Sequence, residues 1–195
     1  DYTKGILHRL RAYGELVAAG RLGPRPVLIQ VASPSRERVE AYQTLRDEVE
    51  VMVGRINGEH GEVGYSPVHY LHQSYPREEM AALYLAGDVM LVTPLRDGMN
   101  LVAKEYVAAR DDDDGALILS RFTGASRELR DAYLVNPYDV EDVASALHQV
   151  LSVDASERRS RMARMRAQVR EHNIFGWAGQ LLEPLPDKFE QLGDG

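Results

Sequence analysis

Apolar residues fall along this chain in two alternating textures. Unbroken runs of four, such as Val89-Met90-Leu91-Val92 and Ala116-Leu117-Ile118-Leu119, give way to stretches in which they recur every three or four residues. An unbroken run fits a strand covered on both faces of a parallel sheet, whereas the longer spacing fits the buried stripe of a helix. Ile6, Leu7, Leu10, Tyr13, Leu16 and Val17 therefore predict a first helix, closed by Gly20 and Gly23-Pro24, with a buried strand over 26–32 behind it. A turn over 33–38, with Ser35 as N-cap, enters a long helix carrying Val39, Tyr42, Leu45, Val49, Met52, Val53 and Ile56. That helix is expected to break in Asn57-Gly58-Glu59-His60-Gly61, where turn formers cluster. Residues 68–72 alternate weakly as a strand, and Pro76 followed by Arg77-Glu78-Glu79 opens a helix through Met80, Leu83 and Tyr84 that Gly87 closes.

The same alternation continues to the end. Thr123 to Leu129 predict a short helix after the 116–120 strand, and Leu134-Val135 a short strand ended by Asn136-Pro137-Tyr138-Asp139. Val140, Val143, Ala144, Leu147 and Leu151 then mark a helix, Met162, Met165 and Val169 a narrow stripe on a basic one, and 175–182 a last helix packing through Trp177, Leu181 and Leu182. Strand and helix alternate throughout without an internal repeat, which implies right-handed βαβ units. The expected fold class is α/β with a doubly wound, Rossmann-like parallel sheet over residues 1–172, followed by a C-terminal helix and tail over 173–195.

The pattern is sharpest from Val89 to Ala109, where a strand runs straight into the polar turn Arg96-Asp97-Gly98-Met99-Asn100 and then an amphipathic run. A parallel strand delivers its chain to the carboxyl edge of the sheet, where open α/β folds keep their ligand crevice. Gly98 is expected to make the sharp turn, and Met99, Asn100 and Leu101 then present amide N–H groups at the positive end of the helix, a site for an anion such as phosphate. Asp97 and Glu105 frame that site, Glu105 about one turn deeper on the same side of the helix. Because a carboxylate repels phosphate, these two fit better as acceptors from neutral hydroxyls of a sugar or ribose. Read alone, they also fit a solvated turn and an ordinary helix surface.

Composition narrows the function classes. With 195 residues and 44 % hydrophobic content the chain suits one domain with a sizeable core, and 30 acids against 23 bases, net −7, argue against a nucleic-acid partner. No cysteine is present and no apolar run approaches about 20 residues, so neither thiolate chemistry nor a membrane span is expected, and a cytoplasmic protein is the default. Asp111-Asp112-Asp113-Asp114 lacks calcium-loop spacing and reads as a solvated loop, the six histidines form no metal pattern, and Arg158, Arg159, Arg161, Arg164, Arg166 and Arg170 read as the solvated face of a docked helix. Asp1-Tyr2-Thr3-Lys4-Gly5 has the character of a turn between a strand and a helix, with no strand ahead of it, as in a chain cut in mid-fold.

Taken as a string, TPLRDGMNLVAKEY over 93–106 resembles the donor-site signature of the trehalose-6-phosphate synthases, glycosyltransferase family 20. DYTKG, SPSRERVEAY, GRINGE, FTGA and LVNPYD extend the resemblance from Asp1 to about Trp177, although the arginine that opens the first motif in the family lies outside this sequence. The resemblance implies the nucleotide-sugar-binding half of a retaining glycosyltransferase of the two-domain GT-B fold. It implies transfer of glucose from UDP-glucose or another NDP-glucose to glucose 6-phosphate, without metal or cofactor. On the matching positions, Lys4 would contact the donor diphosphate, with the amides of Met99, Asn100, Leu101 and Val102. Glu105 would hold the ribose, Tyr75 would lie near the uracil, and Arg36 would reach the acceptor phosphate. Asp97 would orient the transferred glucose as the catalytic group. The amino-terminal domain of such an enzyme is an implied partner, as is a second copy in a homo-oligomer, and the chain alone is expected to bind nucleotide without completing the transfer. Another retaining GT-B transferase, related to sucrose or glycogen synthases, and a non-catalytic nucleotide-sugar-binding module remain as alternatives.

Overall fold

The computed structural model describes residues 2–34 and 40–171, so Ser35, Arg36 and the tail with its predicted 175–182 helix lie outside the described residues. A 3-10 turn at Tyr2–Lys4 leads into α1 (Ile6–Ala18), β1 (Leu28–Val31), α2 (Glu40–His60), β2 (Val68–Leu71), α3 (Arg77–Ala86) and β3 (Val89–Val92). Then come α4 (Leu101–Ala109), β4 (Ala116–Ser120), a second 3-10 turn at Gly124–Arg127, β5 (Tyr133–Val135), α5 (Val140–Ser152) and α6 (Ala155–Glu171). The strand ladders among the described residues are all parallel, as the βαβ alternation predicts.

β4 shows why unbroken apolar runs mark this architecture. Its five residues are all buried, and successive side chains leave the strand on opposite faces. Ala116 and Ile118 join α1 and α5 in one core with Ala12, Leu16, Val143 and Leu147, while Leu117 and Leu119 join α3, α4 and α6 in another with Tyr84, Tyr106, Met162 and Met165.

Among the described residues the strands form two sheets, β1-β2 and β3-β4-β5. Helix α1 ties them together: Leu10 and Tyr13 pack with Val49, Val53 and Val68 on the β1-β2 side, and Ala12 and Leu16 enter the core of the other sheet. Between these contacts Arg9 is buried and spans the sheets, donating from Nε to Gln30 Oε1 of β1 at 2.9 Å and from Nη1 to Thr93 Oγ1 at 3.2 Å and the Leu91 carbonyl of β3 at 3.3 Å. Burial lowers its pKa to about 10, which leaves it a cation at neutral pH that neutral acceptors must satisfy.

Three expectations change. The strand predicted over 26–32 is shorter and not buried on both faces: Gln30 is buried against Arg9, while Ile29 is 48 % exposed. Helix α2 runs on through Asn57 and Gly58 and ends only at His60, at the far edge of the break expected over 57–61. The Asn57 side chain donates to the Val68 carbonyl at 2.9 Å and accepts the Val68 N–H at 2.8 Å, so a turn-forming residue instead clamps β2 from within a helix. The acidic loop and the basic face of α6, each expected to be solvated, are partners. Arg110 grips Asp112 through two bonds of 3.0 Å, Arg158 meets Asp114 at 2.6 Å, and Arg166 pairs with Asp113. Met162 and Met165 seat α6 in the core, which carries its flanking arginines onto the loop.

The Asp114 carboxyl is held at about 2, below its ordinary 3.8, first by the hydrogen bond from Arg158 and then by the Gly115 N–H. A carboxyl lowered on folding stabilises in full above its ordinary value and stops doing so as pH falls through the folded one. The melting-temperature gap between wild type and Arg158→Ala should therefore be present at pH 6 and close between about pH 4 and 2, as followed by thermal melts; a pH-independent gap would mean that Arg158 acts through packing alone.

Candidate active site

Three loops meet beyond the carboxyl ends of β3 and β4. Leu95 N–H donates to the Thr3 carbonyl at 2.6 Å, joining the β3–α4 loop to the turn ahead of α1. Asp97 N–H donates to Phe122 O at 3.2 Å, while Gly124 and Ala125 N–H return to Asp97 O at 3.1 Å and Met99 O at 3.0 Å, joining it to the loop after β4. Two glycines permit this closeness. A Cβ on Gly5, whose φ is 64°, would lie 2.1 Å from Thr93 O, and a Cβ on Gly124 would lie 2.1 Å from Gly98 O.

Gly98 lies at the bend of this turn without using a glycine's special backbone freedom. It stays outside the left-handed region, and Asn100 occupies that region instead, with φ 63°. Asn tolerates that conformation because its short amide bonds locally: Asn100 Oδ1 accepts Ala103 N–H at 3.0 Å, capping α4 with a contribution of about 1 kcal/mol.

Asp97 sits at the focus. Its Oδ1 accepts the N–H groups of Met99 at 3.3 Å and Asn100 at 3.1 Å, and its Oδ2 accepts Asn100 Nδ2 at 3.2 Å and Lys4 Nζ at 2.9 Å. Burial alone would raise this carboxyl, but the Lys4 ammonium, the Met99 N–H and the Asn100 amide outweigh it and hold the group below the ordinary carboxylate range. The carboxylate is thus ionised and fixed mainly by the turn. Lys4 is 47 % exposed, and an ion pair so placed contributes only about 0–1 kcal/mol.

The amides expected to face an anion therefore divide. Those of Met99 and Asn100 turn inward to Asp97, whereas those of Leu101 and Val102 precede the helical ladder at the positive end of α4. Met99, Leu101 and Val102 are also exposed as side chains, forming an apolar rim around that helix end.

Glu105 lies one turn along α4, where its Oε2 accepts the Tyr84 hydroxyl of α3 at 3.5 Å. Tyr75 sits apart in the turn after β2, half-buried, accepting a hydrogen bond from Gln73. The structure accordingly brings Lys4, Asp97, Met99, Asn100, Leu101 and Val102 together, with Glu105 adjoining, while Arg36 lies outside the described residues. Tyr84 and Gly124 are additions. Tyr84 reads as a core position in the apolar stripe, and Gly124 as a routine helix-start glycine, because only the tertiary approach gives either a role at this edge.

This arrangement offers an anion site of one lysine and a helix end, beside two carboxylates able to accept from hydroxyls. Residues 1–187 match the family model described as glycosyltransferase family 20. The chain belongs to that family. A trehalose-6-phosphate synthase of Mycobacterium leprae is 58 % identical over 188 residues, covering 96 % of this chain and 38 % of the relative. Among solved structures, a UDP-forming α,α-trehalose-phosphate synthase of Burkholderia xenovorans in complex with glucose 6-phosphate superimposes with a TM-score of 0.89 at 42 % identity, covering 94 % of this chain and 41 % of that one. An E. coli trehalose-6-phosphate structure bound with UDP-2-fluoro glucose gives a TM-score of 0.89 at 43 % identity and the same coverage, 94 % and 41 %. This family 20 chain thus spans about two fifths of the length of its relatives.

The loop contact makes one glycine critical and a neighbour dispensable for folding. Gly124→Ala should destabilise by about 1–3 kcal/mol, because its Cβ must push the Gly98 carbonyl and the Asp97 turn aside. Gly98→Ala, whose Cβ would meet no atom within 4 Å, should leave the melting temperature unchanged. Thermal melts of the two variants check this.

Proposed function

We propose that the protein carrying this chain transfers glucose from UDP-glucose, or another NDP-glucose, to glucose 6-phosphate with retained configuration, as an α,α-trehalose-phosphate synthase (UDP-forming). This chain forms its donor-binding half in a two-domain GT-B enzyme acting in the cytoplasm. The observation that carries the reading is the joining of Lys4, Asp97 and the amino end of α4 at one sheet edge. The high identity to synthases, and the glucose 6-phosphate and UDP-2-fluoro glucose held by solved relatives, support it.

In this reading the donor diphosphate lies against the Leu101 and Val102 N–H groups and takes Lys4 from Asp97. Releasing a pair worth at most about 1 kcal/mol to form charge-assisted bonds of roughly 1.5–3 kcal/mol is downhill. No metal is needed for that charge. Asp97, freed of the ammonium but still held by the turn amides, accepts from hydroxyls of the transferred glucose. Glu105 receives the ribose, Tyr75 borders the base, and Arg36 meets the acceptor phosphate with its planar guanidinium.

The bond from glucose C1 to the diphosphate breaks, with the electron pair leaving on UDP. An acceptor hydroxyl oxygen bonds to C1 on the same face, and its proton passes to the departing phosphate oxygen. Positioning and stabilisation of the leaving diphosphate then supply the rate acceleration.

Asp97→Asn should leave UDP affinity nearly unchanged and lower turnover by roughly 10²-fold, about 2.7 kcal/mol, because the lost interaction acts mainly in the transition state. Lys4→Ala should instead weaken UDP binding and flatten its salt dependence. Both are read by calorimetric titration and initial rates on the full gene product. A lower melting temperature with unaltered turnover in Asp97→Asn would leave Asp97 only a capping role.

A further inference from the structure

Tyr84 is held more firmly than a core aromatic requires. Its ring meets Tyr106 edge-on, with centroids 6.0 Å apart at 85°. Tyr106 is itself anchored by its hydroxyl, which donates to Ala116 O at 3.3 Å. The Tyr84 carbonyl accepts Arg110 Nη1 at 3.1 Å, and the same nitrogen reaches Leu85 O at 3.0 Å and Gly87 O at 2.9 Å, satisfying carbonyls that the end of α3 leaves open. Ring and backbone are thus fixed before the hydroxyl is considered.

That hydroxyl emerges between α3 and α4 and points at Glu105 Oε2, 3.5 Å away. Glu105 is otherwise exposed, on a long side chain with freely rotating bonds. Burial, and then the Glu105 charge and hydrogen bond, push the Tyr84 hydroxyl up to about 12, so it remains a proton donor throughout the neutral range.

We propose that Tyr84 is a positioning residue for nucleoside recognition. Its hydroxyl engages one oxygen of Glu105 and leaves Oε1 to receive a ribose hydroxyl, so that the carboxylate meets the sugar without first being ordered. The inference rests on the assignment of Glu105 to the ribose. Tyr84 touches no substrate, and its effect must pass entirely through that carboxylate.

The test is a cycle of Tyr84→Phe, Glu105→Ala and the double variant in the full gene product, titrated calorimetrically with UDP and with 2′,3′-dideoxy-UDP. Tyr84→Phe keeps the ring and should keep the melting temperature. It should weaken UDP binding about fivefold, the scale of one hydrogen bond, and leave dideoxy-UDP binding unchanged. In the Glu105→Ala background, which leaves the Tyr84 hydroxyl no acceptor at this position, it should do nothing further. An equal loss for both nucleotides, no loss for either, or full additivity with Glu105→Ala would overturn the positioning role. Unchanged preference for UDP over its dideoxy form in Glu105→Ala would overturn the ribose assignment itself, and this inference with it.

Discussion

The site depends on backbone segments approaching more closely than side chains would allow. The turn ahead of α1, the β3–α4 loop and the loop after β4 are stitched by four backbone hydrogen bonds, and the approach at Gly5 and Gly124 leaves no room for a Cβ. Everything chemical at this edge is hung on that stitching. It sets Asp97 where its own turn amides can hold it, places Lys4 within 2.9 Å of it, and leaves the Leu101 and Val102 amides ahead of the helical ladder of α4. Residues 93 positions apart in sequence become one site because main chain, rather than a flexible side chain, brings them together.

Two polar devices position the elements behind the site. Arg9 crosses between the two sheets and satisfies acceptors on each, so the β3 end that launches the Asp97 turn is referenced to β1 as well as to its own sheet. On the opposite side the arginines of α6 grip the acidic loop that follows α4, while Lys104 reaches both oxygens of Glu128 at 2.8 Å and ties α4 to the segment after Gly124. Exposed ion pairs contribute little singly, so the buried methionines of α6 carry most of its docking and the arginines fix its orientation.

Much of this was legible in the chain itself. Apolar runs gave β3 and β4, three-to-four spacing gave the helices, and the strand-turn-helix order placed Asp97, the α4 amides and Glu105 on one edge. What escaped has a common cause. Arg9 looks like a surface residue until its helix is seen between two sheets, and Asn57 looks like a breaker until its amide is seen on β2. Gly98 was the obvious turn glycine, yet Asn100 takes the left-handed conformation and the steric demand falls on Gly124, a requirement made by a distant loop. Two charge runs read separately as solvated are each other's partners, because sequence periodicity reports which face is apolar and says nothing of what the polar face meets.

The central claim is that a nucleoside diphosphate docks on the first amides of α4 and takes the lysine from Asp97. A crystal structure of the full gene product with UDP tests it directly. The account predicts diphosphate oxygens within hydrogen-bond reach of the Leu101 and Val102 N–H groups and of Lys4 Nζ, with Lys4 withdrawn from Asp97 and the ribose against Glu105. UDP bound at another edge, with the Lys4–Asp97 pair intact, would contradict it.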